Sequence, residues 1–143
     1  MEMNNGVRRF EDLIAWQQAR ALNKAIYVAT LQEPFARDYG LARQIQRASV
    51  SIASNIAEGF ERNNPGEFHQ ALSVAKGSCA EVRTQLYLAL DIGHIGESHF
   101  ELLMAQAGEV GRLIGGLRAS VARRRDEGRA ASRAEGRRQT ASE

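Results

Sequence analysis

Apolar residues recur at three- and four-residue steps along four separate stretches of the chain, which is the spacing of one helix face. In the stretch from Leu41 to Gly59, the inward stripe is Leu41, Ile45, Ala48, Ile52 and Ile56. A polar stripe runs beside it: Arg43, Arg47, Ser51, Asn55 and Glu58. The small residues of this stretch, Ala48, Ser49, Ser51, Ala53, Ser54 and Ala57, let neighbouring helices approach closely. An earlier stretch, FEDLIAWQQARALNKAIYVAT from Phe10, predicts a helix with Leu13, Trp16, Ala19, Leu22 or Asn23, and Ile26 inward. Its acids Glu11 and Asp12 would sit in the first turn and complement the helix dipole.

A third helix is predicted with Phe68, Leu72, Ala75, Cys79, Val82, Leu86 and Ala89 on its inner face. Ser78, Glu81 and Gln85 form a second polar stripe beside them. Gly77 inside this helix costs about 1 kcal/mol relative to alanine, and close helix contact is the expected reason. A fourth helix carries Leu103, Val110, Leu113, Ile114, Leu117 and Val121. Its glycines, Gly108, Gly111, Gly115 and Gly116, mean either that another helix packs against them or that the segment frays. The packed alternative is favoured.

Breakers separate the four. Pro34 pushes Glu33 out of helical geometry, and Asp38 is placed to cap the second helix. Asn64, Pro65 and Glu67 read as N-cap, first helical position and first-turn acid of the third. Gly93 and Gly96 flank the last loop, and Glu97 or Ser98 begins the fourth helix. Four amphipathic helices on short loops predict an all-α, antiparallel up-and-down four-helix bundle over residues 10–121, after a polar lead at 1–9. From 122 to 143 no apolar residue larger than alanine occurs, so this stretch is expected to be a disordered basic tail.

The chain has 143 residues, enough for one domain with a true core. No run approaches the roughly 20 apolar residues of a membrane span, and MEMNNGVRRF lacks the apolar middle of a signal peptide. With a lone cysteine, Cys79, excluding an internal disulfide, the expectation is a cytoplasmic protein. Net charge is only +2, but the arginines crowd toward the C-terminus.

Catalytic chemistry finds no support. No Ser-centred elbow, phosphate-cradling glycine loop or zinc spacing occurs, and neither a cofactor nor a metal is expected. His69, His94 and His99 lack partners in ligand register. Two features remain. The polar stripes would let Arg47 meet Glu81 across the second and third helices, either fixing helix register or lining an oligomer interface or phosphate contact. The register role is favoured, because no aromatic residue interleaves with the arginines. Arg112, Arg118, Arg123, Arg124 and Arg125, followed by Arg129, Arg133, Arg137 and Arg138, would either complement a helix C-terminus and aid solubility or bind nucleic-acid phosphate.

Two motifs carry a family resemblance. Gln44, Arg47, Ala48, Ser51, Ile52, Ser54, Asn55, Ile56, Ala57, Glu58 and Gly59 match QxxRAxxSIxSNIAEG; Ala75, Gly77, Ser78 and Glu81 match AxGSxxE. Over about Phe10 to Leu117 the chain resembles the bacterial four-helix-bundle family that includes ribosomal RNA intervening-sequence proteins and the accessory variability proteins of diversity-generating retroelements. The resemblance implies a homopentameric ring without catalytic activity. For the retroelement branch it implies RNA or DNA binding and a reverse transcriptase partner. The functional expectation is thus an oligomeric, non-enzymatic nucleic-acid-binding bundle. The alternative is an assembly protein that contacts only other proteins.

Overall fold

The computed structural model describes residues 6–142; residues 1–5 of the polar lead and Glu143 of the tail lie outside that range. The helices are α1 (Ile14–Thr30), α2 (Tyr39–Glu61), α3 (Pro65–Asp91) and α4 (Glu97–Ala141), with short 3-10 turns at Phe10–Asp12 and Phe35–Arg37. Among the described residues there is no strand, and no helix is long and apolar enough to cross a membrane.

Each helix packs on two others: α2 lies between α1 and α3, and α4 closes the square against α3 and α1. Hydrogen bonds between helices give the antiparallel register. Gln46 Nε2 donates to Thr30 Oγ1 at 2.8 Å, and Ser49 Oγ to Asn23 Oδ1 at 3.1 Å. Cys79 Sγ donates to the Ala107 carbonyl at 3.1 Å, and Lys76 Nζ to the Gly111 carbonyl at 3.2 Å. The chain is an antiparallel up-and-down four-helix bundle, as its periodicity predicts.

The predicted stripes form the core. Leu22 and Ile26, Ile45, Ile52 and Ile56, Phe68, Leu72, Val82 and Leu86, and Val110 and Ile114 are fully buried. Both predicted caps form: the Leu41 amide donates to Asp38 Oδ1 at 3.1 Å, and the Glu67 amide to Asn64 Oδ1 at 3.0 Å. Gly59 of α2 packs directly against Phe68 and Ala71 of α3. A Cβ there would stand 2.5 Å from the Ala71 Cβ, so glycine is required.

Four expectations need correction or refinement. The first helix does not begin at Phe10: the chain makes a 3-10 turn, straightens at Leu13, and enters α1 at Ile14. Glu11 and Asp12 therefore belong to the turn, whose Glu11 carbonyl accepts from Gln17 Nε2 at 2.9 Å. The glycines of α4 divide: Gly111 lies 3.6 Å (from its virtual Cβ) from Cys79 Sγ and Gly115 3.3 Å from Lys76 Nζ, whereas Gly116 meets nothing within 4 Å. Gly77 likewise faces open space, so no contact within the chain explains it.

The largest correction concerns residues 122–143, expected to be disordered. Helix α4 continues unbroken to Ala141, well past Val121, the last buried residue. The expectation considered only the lack of burial. A helix already nucleated in the bundle adds further turns without a new nucleation cost, and alanine, arginine and glutamate are strong helix formers. Burial ends at the predicted boundary; the helix does not.

Candidate nucleic-acid interface and the α2–α3 seam

Beyond Val121, α4 projects about 30 Å at the usual rise per residue. Residues 122–143 carry seven arginines against four acids, a local charge of +3, whereas the whole chain is +2. The bundle proper is thus slightly acidic, and the projecting helix is the basic part. Arg125, Arg129, Arg133 and Arg137 recur every four residues and form a slowly winding ridge. Where this ridge leaves the bundle, it faces the start of α3. Arg124, Arg125, Arg129 and Arg133 share with Asn64, Pro65 and Gly66 the walls of a concave space of about 1030 Å³. The α3 N-terminus adds its own partial positive charge there.

The predicted basic residues do not form a single group. Arg118 and Arg125 both lie near His69, whose pKa is held below its ordinary value first by burial and then by these two guanidinium groups. Arg125 also contacts Asp126 at 3.4 Å. Arg123 is exposed on the helix but does not line the concave space. Arg112 belongs elsewhere: it is bound to Glu109 and lines a groove between α1 and α4 with Leu13 and Leu117. The contribution of Asn64 to Gly66 is absent from the charge pattern. Only the α2–α3 turn brings it beside α4.

The second candidate, the polar stripe pair, lies along the α2–α3 seam. Ser51 Oγ and Ser78 Oγ are 2.9 Å apart at its centre, and Asn55 Nδ2 donates to the Ser51 carbonyl at 2.8 Å and to Ser51 Oγ at 3.0 Å. Above this pair opens a cleft of about 400 Å³ walled by Gln44, Arg47, Ser51, Ser78, Glu81 and Gln85. Below it, Asn55 and Glu58 line a further depression with Arg62 and Glu67. Arg43 is exposed and lines neither.

The expected Arg47–Glu81 ion pair does not form. Both side chains are exposed on the rim of the cleft, and no ion pair joins them among the described residues. In water, such a pair gains little over the entropy of holding two long side chains together. The seam is bridged by the serine hydroxyls instead. Gln85 is 9% exposed, and its Oε1 is fully buried with no hydrogen-bond partner.

At the opposite end of the bundle, His94 Nε2 lies 2.9 Å from Asp38 Oδ2, and its ring stacks on Phe35 with centroids 5.1 Å apart. The histidine and the capped Leu41 amide hold the Asp38 carboxyl below its ordinary pKa. This ties the α3–α4 loop to the start of α2. Sequence spacing gave no sign of the pairing, because 56 positions separate the partners. Cys79 is a buried packing residue whose thiol pKa is raised by desolvation. Among the described residues, no group of three or more His, Cys, Asp or Glu is placed to hold a metal ion.

Comparison with known proteins agrees with the bundle fold. The family model described as 23S rRNA-intervening sequence protein matches residues 11–116. The chain belongs to that family. The match ends shortly before the last buried residue, so the basic projection lies beyond the matched region. Among solved structures, the chain is similar to a protein of unknown function from the S23 ribosomal protein family of Bacteroides thetaiotaomicron, determined at 1.70 Å. The TM-score is 0.65 at 20% identity, over 71% of this chain and 94% of that one. At that identity the likeness supports the shared bundle fold. No curated protein matches.

Proposed function

We propose that this intervening-sequence family member is a non-enzymatic, self-assembling bundle that binds the phosphate backbone of RNA or DNA through the projecting half of α4. The observation that carries the reading is the separation of charge from packing. All of the excess positive charge sits on the half of α4 that has no buried residue, beside the electropositive start of α3. Phosphate binding needs accessible guanidinium groups at regular intervals and no base-reading pocket, and the exposed Arg129, Arg133 and Arg137 supply them, with the half-buried Arg125 at the foot of the ridge. The interleaved acids Asp126, Glu127 and Glu135 weaken a single ridge, so binding gains from several ridges on one rim.

The test is a salt titration of the full chain with mixed-sequence RNA and DNA, followed by anisotropy. Binding that weakens steeply with salt, and is lost when residues 122–143 are removed, is the expected result. Absence of binding at low salt removes the reading. The acidic bundle and the unfilled polar seam favour a second one, an assembly protein with protein contacts alone. It predicts oligomers that ignore nucleic acid at every salt concentration.

A further inference from the structure

The projecting half of α4 carries arginine on more than its ridge. Arg129 and Arg138 are nine positions apart, about two and a half turns of an α-helix, so they leave it on opposite sides. Arg123 also stands off the ridge and does not line the concave space beside α3. Arg123, Arg129, Arg133, Arg137 and Arg138 are exposed, and none of them makes an ion pair among the described residues. The interleaved acids leave these guanidinium groups open to an outside anion.

The rest of the segment is slender. From Ala122 to Ala141 the uncharged residues are Ala, Gly, Ser, Thr and one Gln. Residues 122–143 contain no Phe, Tyr, Trp or His, and no Leu, Ile, Val or Met. Without an aromatic ring, the segment gives the bases of a single strand nothing to stack on. Without a bulky apolar side chain, it has no wedge to drive between base pairs from the minor groove. What remains is a rod about 30 Å long, no thicker than its arginines and cationic on opposite sides.

That shape selects a ligand. A rod lying along the outside of a strand meets phosphate on one side, and arginine on the other side faces water. Inside a duplex groove the two strands flank the rod, and phosphates approach it from both sides. The major groove of B-form DNA is about 12 Å wide and admits an α-helix, whose diameter with side chains is about 10–12 Å. The major groove of A-form RNA is too narrow for one. Where the rod leaves the bundle, the concave space between Asn64, Pro65 and Gly66 and the arginines at its foot leaves room for the backbone of one flanking strand.

We infer that α4 from Ala122 to Ala141 lies in the major groove of B-form duplex DNA and contacts phosphates of both flanking strands, without regard to base sequence. The inference rests on the phosphate-binding reading above and names the nucleic acid and the groove. Because the helix runs on unbroken from the buried Val121, the rod enters the groove already formed, and binding does not pay to order a flexible tail.

The experiment offers the full chain four ligands of equal length at fixed salt, followed by anisotropy: duplex DNA, duplex RNA, single-stranded DNA, and duplex DNA whose cytosines carry glucosylated hydroxymethyl groups that fill the major groove. Plain duplex DNA should bind at least about tenfold more tightly than each of the others. Equal affinity for duplex DNA and duplex RNA, or indifference to the glucosyl groups, overturns the inference while leaving phosphate binding standing. Two variants test the rod itself. Ala131→Pro keeps every charge but breaks the helix in mid-projection, and it should weaken duplex DNA binding at least about tenfold without moving the melting temperature of the bundle. Unchanged affinity would mean that a loose charged tail suffices, and the inference falls. Arg138→Gln, opposite Arg129, should lower the salt dependence of duplex binding by about one phosphate contact, as Arg129→Gln does. No effect of Arg138→Gln leaves a one-sided contact and overturns the groove. Failure to bind any of the four at low salt removes the phosphate-binding reading, and this inference with it.

Discussion

Helix α4 is two helices in physical terms. From Glu97 to Val121 it is held by burial: Leu103, Ala107, Val110, Ile114 and Val121 face the core, and α3 presses on Gly111 and Gly115. From Ala122 to Ala141 no residue is buried, and local propensity alone sustains the helix. The first half must keep its volume and may be nearly neutral in charge. The second can carry any sequence that favours helix, and it carries arginine. Continuous secondary structure therefore does not imply continuous energetics, and the arginines gather where packing makes no demand.

Ways to break the comparison run from large effects to small. Ile114→Ala, in the packed half, should destabilise the protein by about 2–5 kcal/mol, read as a lower midpoint in urea. Removing residues 122–143 altogether should cost less than about 0.5 kcal/mol by the same measurement, although it deletes far more chain. A midpoint lowered as much as by Ile114→Ala would mean that the projection is part of the folded unit. Glycines sharpen the contrast. Gly59→Ala forces a side chain into Ala71 and should cost about 1–3 kcal/mol. Gly128→Ala with Gly136→Ala, in open space, should instead raise helicity by about 0.5–1 kcal/mol per site, seen as deeper ellipticity at 222 nm.

Two smaller effects concern titration. His69 feels Arg118 and Arg125, so a polyanion that neutralises them should move its pKa upward in an NMR titration. The deletion of 122–143 should produce the same direction of change without ligand, because Arg125 is gone. Asp38 has a folded pKa below its ordinary 3.8, so its contribution to stability is present above that value and is lost as pH falls through the folded pKa. Asp38→Asn should flatten that part of the acid-denaturation curve in the window below about pH 4.

Much of the bundle was legible because burial in a helix leaves a simple record. Phe68, Leu72, Cys79, Val82 and Leu86 recur at the helical step, and all five are buried. Asp38 and Asn64 were legible as caps for a similar reason: capping involves residues three apart. The polar network was legible only as a stripe. That Ser51 meets Ser78, and that Arg47 does not pair with Glu81, depends on side-chain placement to within a few ångströms. The site at the α4 projection was half visible, as arginines without the α3 terminus beside them. The projection itself was misread, since composition records the absence of burial but not the helix nucleated upstream.

By itself, then, the sequence determined most of the buried stripe of each helix, the caps of α2 and α3 and where charge accumulates, because these follow from spacing of four residues or fewer. The tertiary structure alone decided what faces what: Asp38 with His94, Asn64 beside Arg125, Ser51 with Ser78. Those relations join residues tens of positions apart, and they are set by how four rods share one core.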